Sequence, residues 1–129
     1  MIAENNGEYI QYRFNRAKEA FEEAEILAKE KRWNAVINRL YYACFYSAIA
    51  ALLNHNIEAK THEGVRKQFS LQFIKTEKLN LEYGRLFSKL FDYRQKGDYG
   101  DLFDFDQELT EPLIDDVKKF LLSIEELTF

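Results

Sequence analysis

One segment dictates most of what this chain can become: Trp33 to about Leu53, in which two apolar stripes run side by side. Trp33, Ile37, Leu40, Cys44, Ala48 and Ala51 form the first at helical spacing, and Val36, Tyr41, Phe45, Ile49 and Leu52 form the second. A helix apolar around so much of its circumference has to be surrounded by other elements rather than laid on one surface. Its longest uncharged run, Leu40 to Leu53, falls short of the roughly 20 residues of a membrane span and is interrupted by tyrosines and Ser47. We therefore expect a central core helix and no membrane partner. Asn54-His55-Asn56 then ends it with residues that favour caps and turns.

The rest of the chain supplies the surrounding helices. From about Tyr9 to Lys29, Ile10, Phe14, Ala17, Phe21 and Ala24 recur every three or four residues, which places them on one helical face. Lys29-Glu30-Lys31-Arg32 is a charged break. Thr61 is positioned to cap a short helix over about His62–Ile74, with Val65, Phe69 and Phe73 on one face. Another helix is expected over about Tyr83–Gln95, stopped by Gly97, with 98–101 a turn. The last carries Leu109, Leu113, Val117, Phe120 and Ile124 and ends near Leu127. Pro112 belongs in a first turn, so the start is expected near Thr110, or after an irregular turn from Asp106. The expectation is an all-α fold, a four- to five-helix up-and-down bundle.

At 129 residues the chain fits one domain, 1–129, by the usual span of about 100–200 residues. Five glycines and one proline leave little turn chemistry for a strand-rich fold. The single cysteine, Cys44, excludes an intrachain disulfide framework and a cysteine-based zinc cluster. A polar N-terminus without signal-peptide character and one reduced thiol point to the cytoplasm. The net charge of −4 is uneven: residues 60–97 hold nine Lys/Arg against four Asp/Glu, while 98–129 hold two against ten. A basic middle suits phosphate or nucleic acid, unless the acidic C-terminal helix covers it or both are merely solvated faces.

Di-iron bundles need Glu-x-x-His pairs, and none occurs; with only His55 and His62 the ligand supply for a metal is poor, so no metal site and no cofactor are expected. Three polar clusters remain. Asn38 and Arg39 stand in the most apolar helix, and Arg39, Tyr42 and Tyr46 share a face. A charge there requires a wet cleft, or else aromatic packing and a carboxylate. Lys60-Thr61-His62 at a helix start suits an anion, with plain capping by Thr61 as the alternative. Arg94 and Asp98, four residues apart, form a local ion pair or else part of a phosphate site with Tyr99.

Taken together, Asn38-Arg39-x-Tyr41-Tyr42-Ala43-x-Phe45, Lys60-Thr61-His62-x-Gly64-Val65 with Phe69, and Arg94-x-x-Gly97-Asp98-Tyr99 resemble the HEPN superfamily (higher eukaryotes and prokaryotes nucleotide-binding). The likeness covers about residues 9–127 and is nearest to the stand-alone prokaryotic branch that is often paired with a minimal nucleotidyltransferase. The resemblance implies a HEPN-like helical bundle, usually a homodimer. The family includes metal-independent endoribonucleases and toxins of toxin–antitoxin pairs. Its ribonuclease signature is an arginine followed four to six residues later by a histidine, and Arg94 matches the arginine. The histidine has no match: Tyr99 stands five residues on, and no histidine follows His62. A phenol, with a pKa of about 10, is a poor general base at neutral pH, whereas imidazole at about 6.5 is suited to it.

The resemblance thus implies a nucleotide- or RNA-binding protein, a toxin-like metal-independent ribonuclease if the site is complete. Arg94, Tyr99 and His62 are the catalytic candidates, His62 supplying the absent imidazole from another loop. Asn38, Arg39, Tyr42, Lys60 and Asp98 are the substrate-binding candidates. The alternative is a non-catalytic helical dimer that docks a nucleotidyltransferase antitoxin. In some members such a partner transfers AMP to a tyrosine near this motif.

Overall fold

The computed structural model describes residues 6–100 and 103–129. Five helices follow one another: α1 (Asn6–Lys29), α2 (Trp33–Asn54), α3 (His62–Phe69), α4 (Leu81–Tyr99) and α5 (Gln107–Thr128). A wide π turn, Ser70–Ile74, continues α3, with the Lys75 N–H donating to the Ser70 carbonyl five residues back. The fold is all-α, and α2 is its axis, packed against α1, α3, α4 and α5 in turn. Both stripes of α2 are covered over most of their length: Val36, Ile37, Leu40, Tyr41, Cys44 and Ala48 have no exposed surface, while Trp33 and Ile49 are partly buried. α2 is long and apolar enough to cross a membrane, but 72% of its most apolar window is buried within the bundle. α1 meets it with small residues, Ala17, Ala20 and Ala24, around Phe14, and α5 contributes Val117, Phe120 and Ile124.

Two tight connections close without glycine. Lys31 (φ 57°) ends α1: the Arg32 N–H reaches back to the Leu27 carbonyl and the Lys31 N–H to the Ala28 carbonyl. Asn56 (φ 59°) repeats the arrangement after α2, through the Leu52 and Leu53 carbonyls. This is the left-handed stop that caps helix carbonyls, here made by a lysine and an asparagine.

Several boundaries differ from the sequence expectation: α1 begins at Asn6 rather than about Tyr9, and the helix expected over His62–Ile74 is α only to Phe69 before its π turn. α4 begins two residues earlier, because the Asn80 side chain accepts from the Glu82 N–H at 2.9 Å. It also runs through Gly97 to Tyr99, so Gly97 is not its stop. At Gly97 an added Cβ would lie 3.2 Å from Phe105, and the missing side chain instead lets the residues before α5 pack against α4. The expected turn at 98–101 is therefore helical through Tyr99, while Asp101 falls outside the described residues. α5 starts at Gln107, capped by Asp106, whose carboxylate accepts from the Leu109 N–H at 2.9 Å. Pro112 thus stands in the second turn, not the first. Both Pro112 and Glu108, whose carbonyl loses its helical donor, are exposed, so the lost bond falls on a solvent-facing side of the helix.

Candidate functional site

The continuation of α4 past Gly97 has a direct consequence for the polar residues. It places Asp98 one turn beyond Arg94 and opposite the start of α2. Arg94 is a buried charge, 8% exposed. Its guanidinium lies over the Tyr41 ring at 4.9 Å and the Tyr42 ring at 5.6 Å. One Nη donates to the Tyr42 hydroxyl at a long 3.4 Å, and the nearest Asp98 oxygen is 3.7 Å away. Its Nε is buried with no acceptor. This guanidinium is held in place by rings and only loosely compensated, which leaves it with unused donors.

Asn38 ties the cluster together. Its amide nitrogen donates to Asp98 at 3.0 Å, while its oxygen accepts from Arg39 Nε at 3.0 Å and Nη2 at 2.9 Å. Arg39 in turn pairs with Glu23 of α1 at 3.0 Å and packs 5.1 Å over Tyr42, which itself packs 5.5 Å from Tyr46. The charged residue of the core helix therefore has both the aromatic packing and the carboxylate that its position demanded. The chain Glu23–Arg39–Asn38–Asp98–Arg94 joins α1, α2 and α4 at one end of the bundle. Asn38 holds the Asp98 carboxylate on its own amide, away from a tight pair with Arg94.

His62, the first residue of α3, joins the same cluster. Its Nδ1 is 2.7 Å from the Tyr41 hydroxyl and its ring stacks on Phe45 at 4.3 Å. Burial first, and the Arg94 charge second, hold its pKa below the ordinary imidazole value, so it is neutral at pH 7. Burial pushes the Tyr41 phenol well above its usual range, keeping it protonated. A neutral imidazole, a locked phenol and an under-compensated guanidinium thus lie in one packed cluster, with His62 its half-buried edge.

Two sequence candidates stand apart. Lys60 borders a different groove, with Tyr9, Arg13 and Ile57, while Thr61 caps α3 by accepting from the Gly64 N–H at 2.9 Å. Tyr99, at the end of α4, is 72% exposed and makes no side-chain hydrogen bond among the described residues. Two residues that sequence reasoning passed over belong to the cluster. Tyr41 was visible as a phenol in the most apolar helix, where a buried hydroxyl must find a partner. Arg66, one turn after His62 on α3, packs its guanidinium 3.9 Å over Phe91 with Nε buried and unpartnered. Among the described residues no three His, Cys, Asp or Glu side chains converge as metal ligands.

Comparison with known proteins identifies the family. Residues 10–127 match the model of the HEPN domain. The chain is 38% identical over 118 residues to a UPF0332 protein of Thermotoga maritima, covering 92% of this chain and 89% of that one. Two proteins of Methanocaldococcus jannaschii named as candidate toxins are also similar. One is 32% identical over 115 residues, 84% of this chain and 78% of its own length. The other is 39% identical over 92 residues, 71% and 69% respectively.

Proposed function

This chain belongs to the HEPN domain family, and from that premise and the geometry of the Arg94 cleft we propose that it is a toxin-like RNA-binding protein that cleaves RNA without a metal ion. The observation that carries the reading is Arg94: a buried guanidinium whose charge is only loosely paired, beside a neutral imidazole. Arginine's planar fork matches a phosphodiester, and a cleft that excludes water strengthens that contact. Asn38, Arg39 and Asp98 position the guanidinium, and the Tyr42 hydroxyl lies beside it. In cleavage, the ribose 2′-hydroxyl loses its proton and attacks the adjacent phosphorus. The bond to the 5′-oxygen breaks, that oxygen takes up a proton, and a cyclic phosphate remains. His62 is the group that moves the proton. When the Tyr41 hydroxyl accepts from Nδ1–H, Nε2 presents a free lone pair as base; when Tyr41 donates, Nε2–H is a donor to the phosphate. A cytoplasmic homodimer is part of this reading; a free, buried Cys44 is compatible with a reducing compartment.

The test is incubation with a mixed RNA substrate in the presence of a metal chelator. Wild type and Tyr99→Phe are expected to cleave, and Arg94→Ala and His62→Ala are expected to lose cleavage. Cleavage by Arg94→Ala equal to wild type would overturn the reading.

The exposure of Tyr99 favours a second reading of the same chain. A phenol standing free at the end of α4 is accessible to a docked nucleotidyltransferase antitoxin that transfers AMP. Mass spectrometry of the protein isolated from its own cells checks this; an AMP adduct on Tyr99 is expected if the partner acts here, and an unmodified Tyr99 in cells expressing the partner removes it.

A further inference from the structure

The basic excess of residues 60–97 is not spent on the Arg94 cleft. Between α3 and α4 lies a groove of about 520 Å³. Its floor is apolar, and Arg66, Arg85, Lys89 and Lys96 stand along it with Asp92 as the one acidic residue of the lining. Among the described residues, none of these four cations forms an ion pair. Arg85 and Lys89 also border the neighbouring groove toward α5, where Glu82 and Asp116 stand, yet neither carboxylate comes within pairing distance. Along α4 the row from Arg85 to Lys96 extends about 16 Å at roughly 1.5 Å per residue, enough for several consecutive phosphates.

Arg66, at the edge of this groove, is linked to Arg94 through one ring. Arg66 lies 3.9 Å over Phe91 and Arg94 lies 5.9 Å from the same ring, and each has a buried Nε without an acceptor. Two guanidinium groups beside one phenyl ring, Arg94 with only a long 3.7 Å contact to Asp98 and Arg66 half-buried with no ion pair among the described residues, are a cationic pair that is under-compensated. Desolvated charge of one sign is costly unless an anion arrives to balance it. An apolar floor that accepts bases, beside a cationic rim that tracks a backbone, is the chemistry that binds single strands.

We infer that the α3–α4 groove holds the phosphate backbone of the single-stranded RNA whose reacting segment lies in the Arg94 cleft, with Arg66 contacting the phosphate between the two. This rests on the reading of that cleft as an RNA site, and its test separates the two. Anisotropy is measured with labelled, uncleavable 2′-O-methyl oligouridylates, a trinucleotide that fills the cleft alone and a dodecanucleotide that spans both. The Lys89→Ala/Lys96→Ala double variant is expected to weaken dodecanucleotide binding on the order of tenfold and to flatten its log–log salt slope by about 1.4. Its trinucleotide binding stays as in wild type. Asp92→Asn, which removes the one acid, is expected to tighten dodecanucleotide binding, a gain that a misfolded variant does not give. If the double variant binds the dodecanucleotide like wild type while Arg94→Ala weakens both lengths, the groove inference is overturned and the cleft reading stands. Weakening by the double variant with no effect of Arg94→Ala supports the groove and overturns the cleft. Displacement of the dodecanucleotide by polyglutamate as readily as by unlabelled RNA assigns the groove to an acidic protein segment and overturns the inference. A wild type that binds neither length overturns both.

Discussion

At His62, burial and the charge of Arg94 act in the same direction, against the imidazolium. Replacing Arg94 with glutamine removes one of the two, so the His62 pKa is expected to rise toward the ordinary value of about 6.5. An NMR titration of the imidazole protons reads this directly; an unmoved His62 would mean that Arg94 does not act on it through space. The same shift has a consequence for stability. Because the folded chain holds His62 neutral, the unfolded chain takes up this proton first as pH falls. Stability from this group is intact above about pH 6.5 and declines as pH falls from there through the folded pKa. Wild type is therefore expected to lose more stability between neutral and mildly acidic pH than His62→Gln, measured by urea unfolding at each pH. Cys44 shows the contrary case of a residue withdrawn from chemistry. It is fully buried and burial pushes its thiol well up. Its reaction with a disulfide reagent is expected only on unfolding, and rapid reaction in native buffer would contradict the packing of α2.

Among the elements, the helices were legible because apolar residues repeat at helical spacing in α1, α2, α3 and α5. The ends were legible only where one residue decides them, as Thr61 does for α3. Gly97 and Pro112 misled for a common reason: each reads locally as a break, and each is accommodated by something distant or by solvent. Phe105 packs where the Gly97 side chain would be, and Pro112 lies on an exposed face. The π turn after α3 carries no residue pattern that announces it. The connection after α1 gives a prediction at this scale. Lys31 holds a left-handed conformation that costs a side-chain-bearing residue about 1 kcal/mol. Lys31→Gly is expected to stabilise the protein by up to about 0.5 kcal/mol, net of glycine's greater freedom when unfolded. A chemical denaturation midpoint that falls instead would show that the lysine side chain contributes more than its backbone strain costs.

For the molecule as a whole, the question is how one buried helix serves both the core and the site. Asn38 and Arg39 could be named from sequence because they are anomalies in the most apolar helix, and Arg94 and Asp98 because of their spacing and motif. That Asn38 and Asp98 meet, and that Lys60 stands apart from Arg94, depends on how helices distant in sequence pack, which no local pattern encodes. Tyr41 is where core and site coincide. It has no exposed surface, its ring packs near Phe87 and Phe91 and under Arg94, and its hydroxyl is 2.7 Å from His62. Tyr41→Phe separates the two roles, because the ring and its packing remain while the hydroxyl is lost. Stability is expected to fall by only about 1 kcal/mol, the net worth of one buried hydrogen bond. Cleavage is expected to lose kcat with KM little changed, since Arg94 still binds phosphate while His62 loses the partner that fixes its ring and tautomer. A variant with unchanged kcat would reduce the Tyr41–His62 contact to core packing. A KM that rises together with a fall in kcat would mean that Tyr41 acts through the seat of Arg94, and a double-variant cycle of Tyr41→Phe with His62→Ala separates these routes.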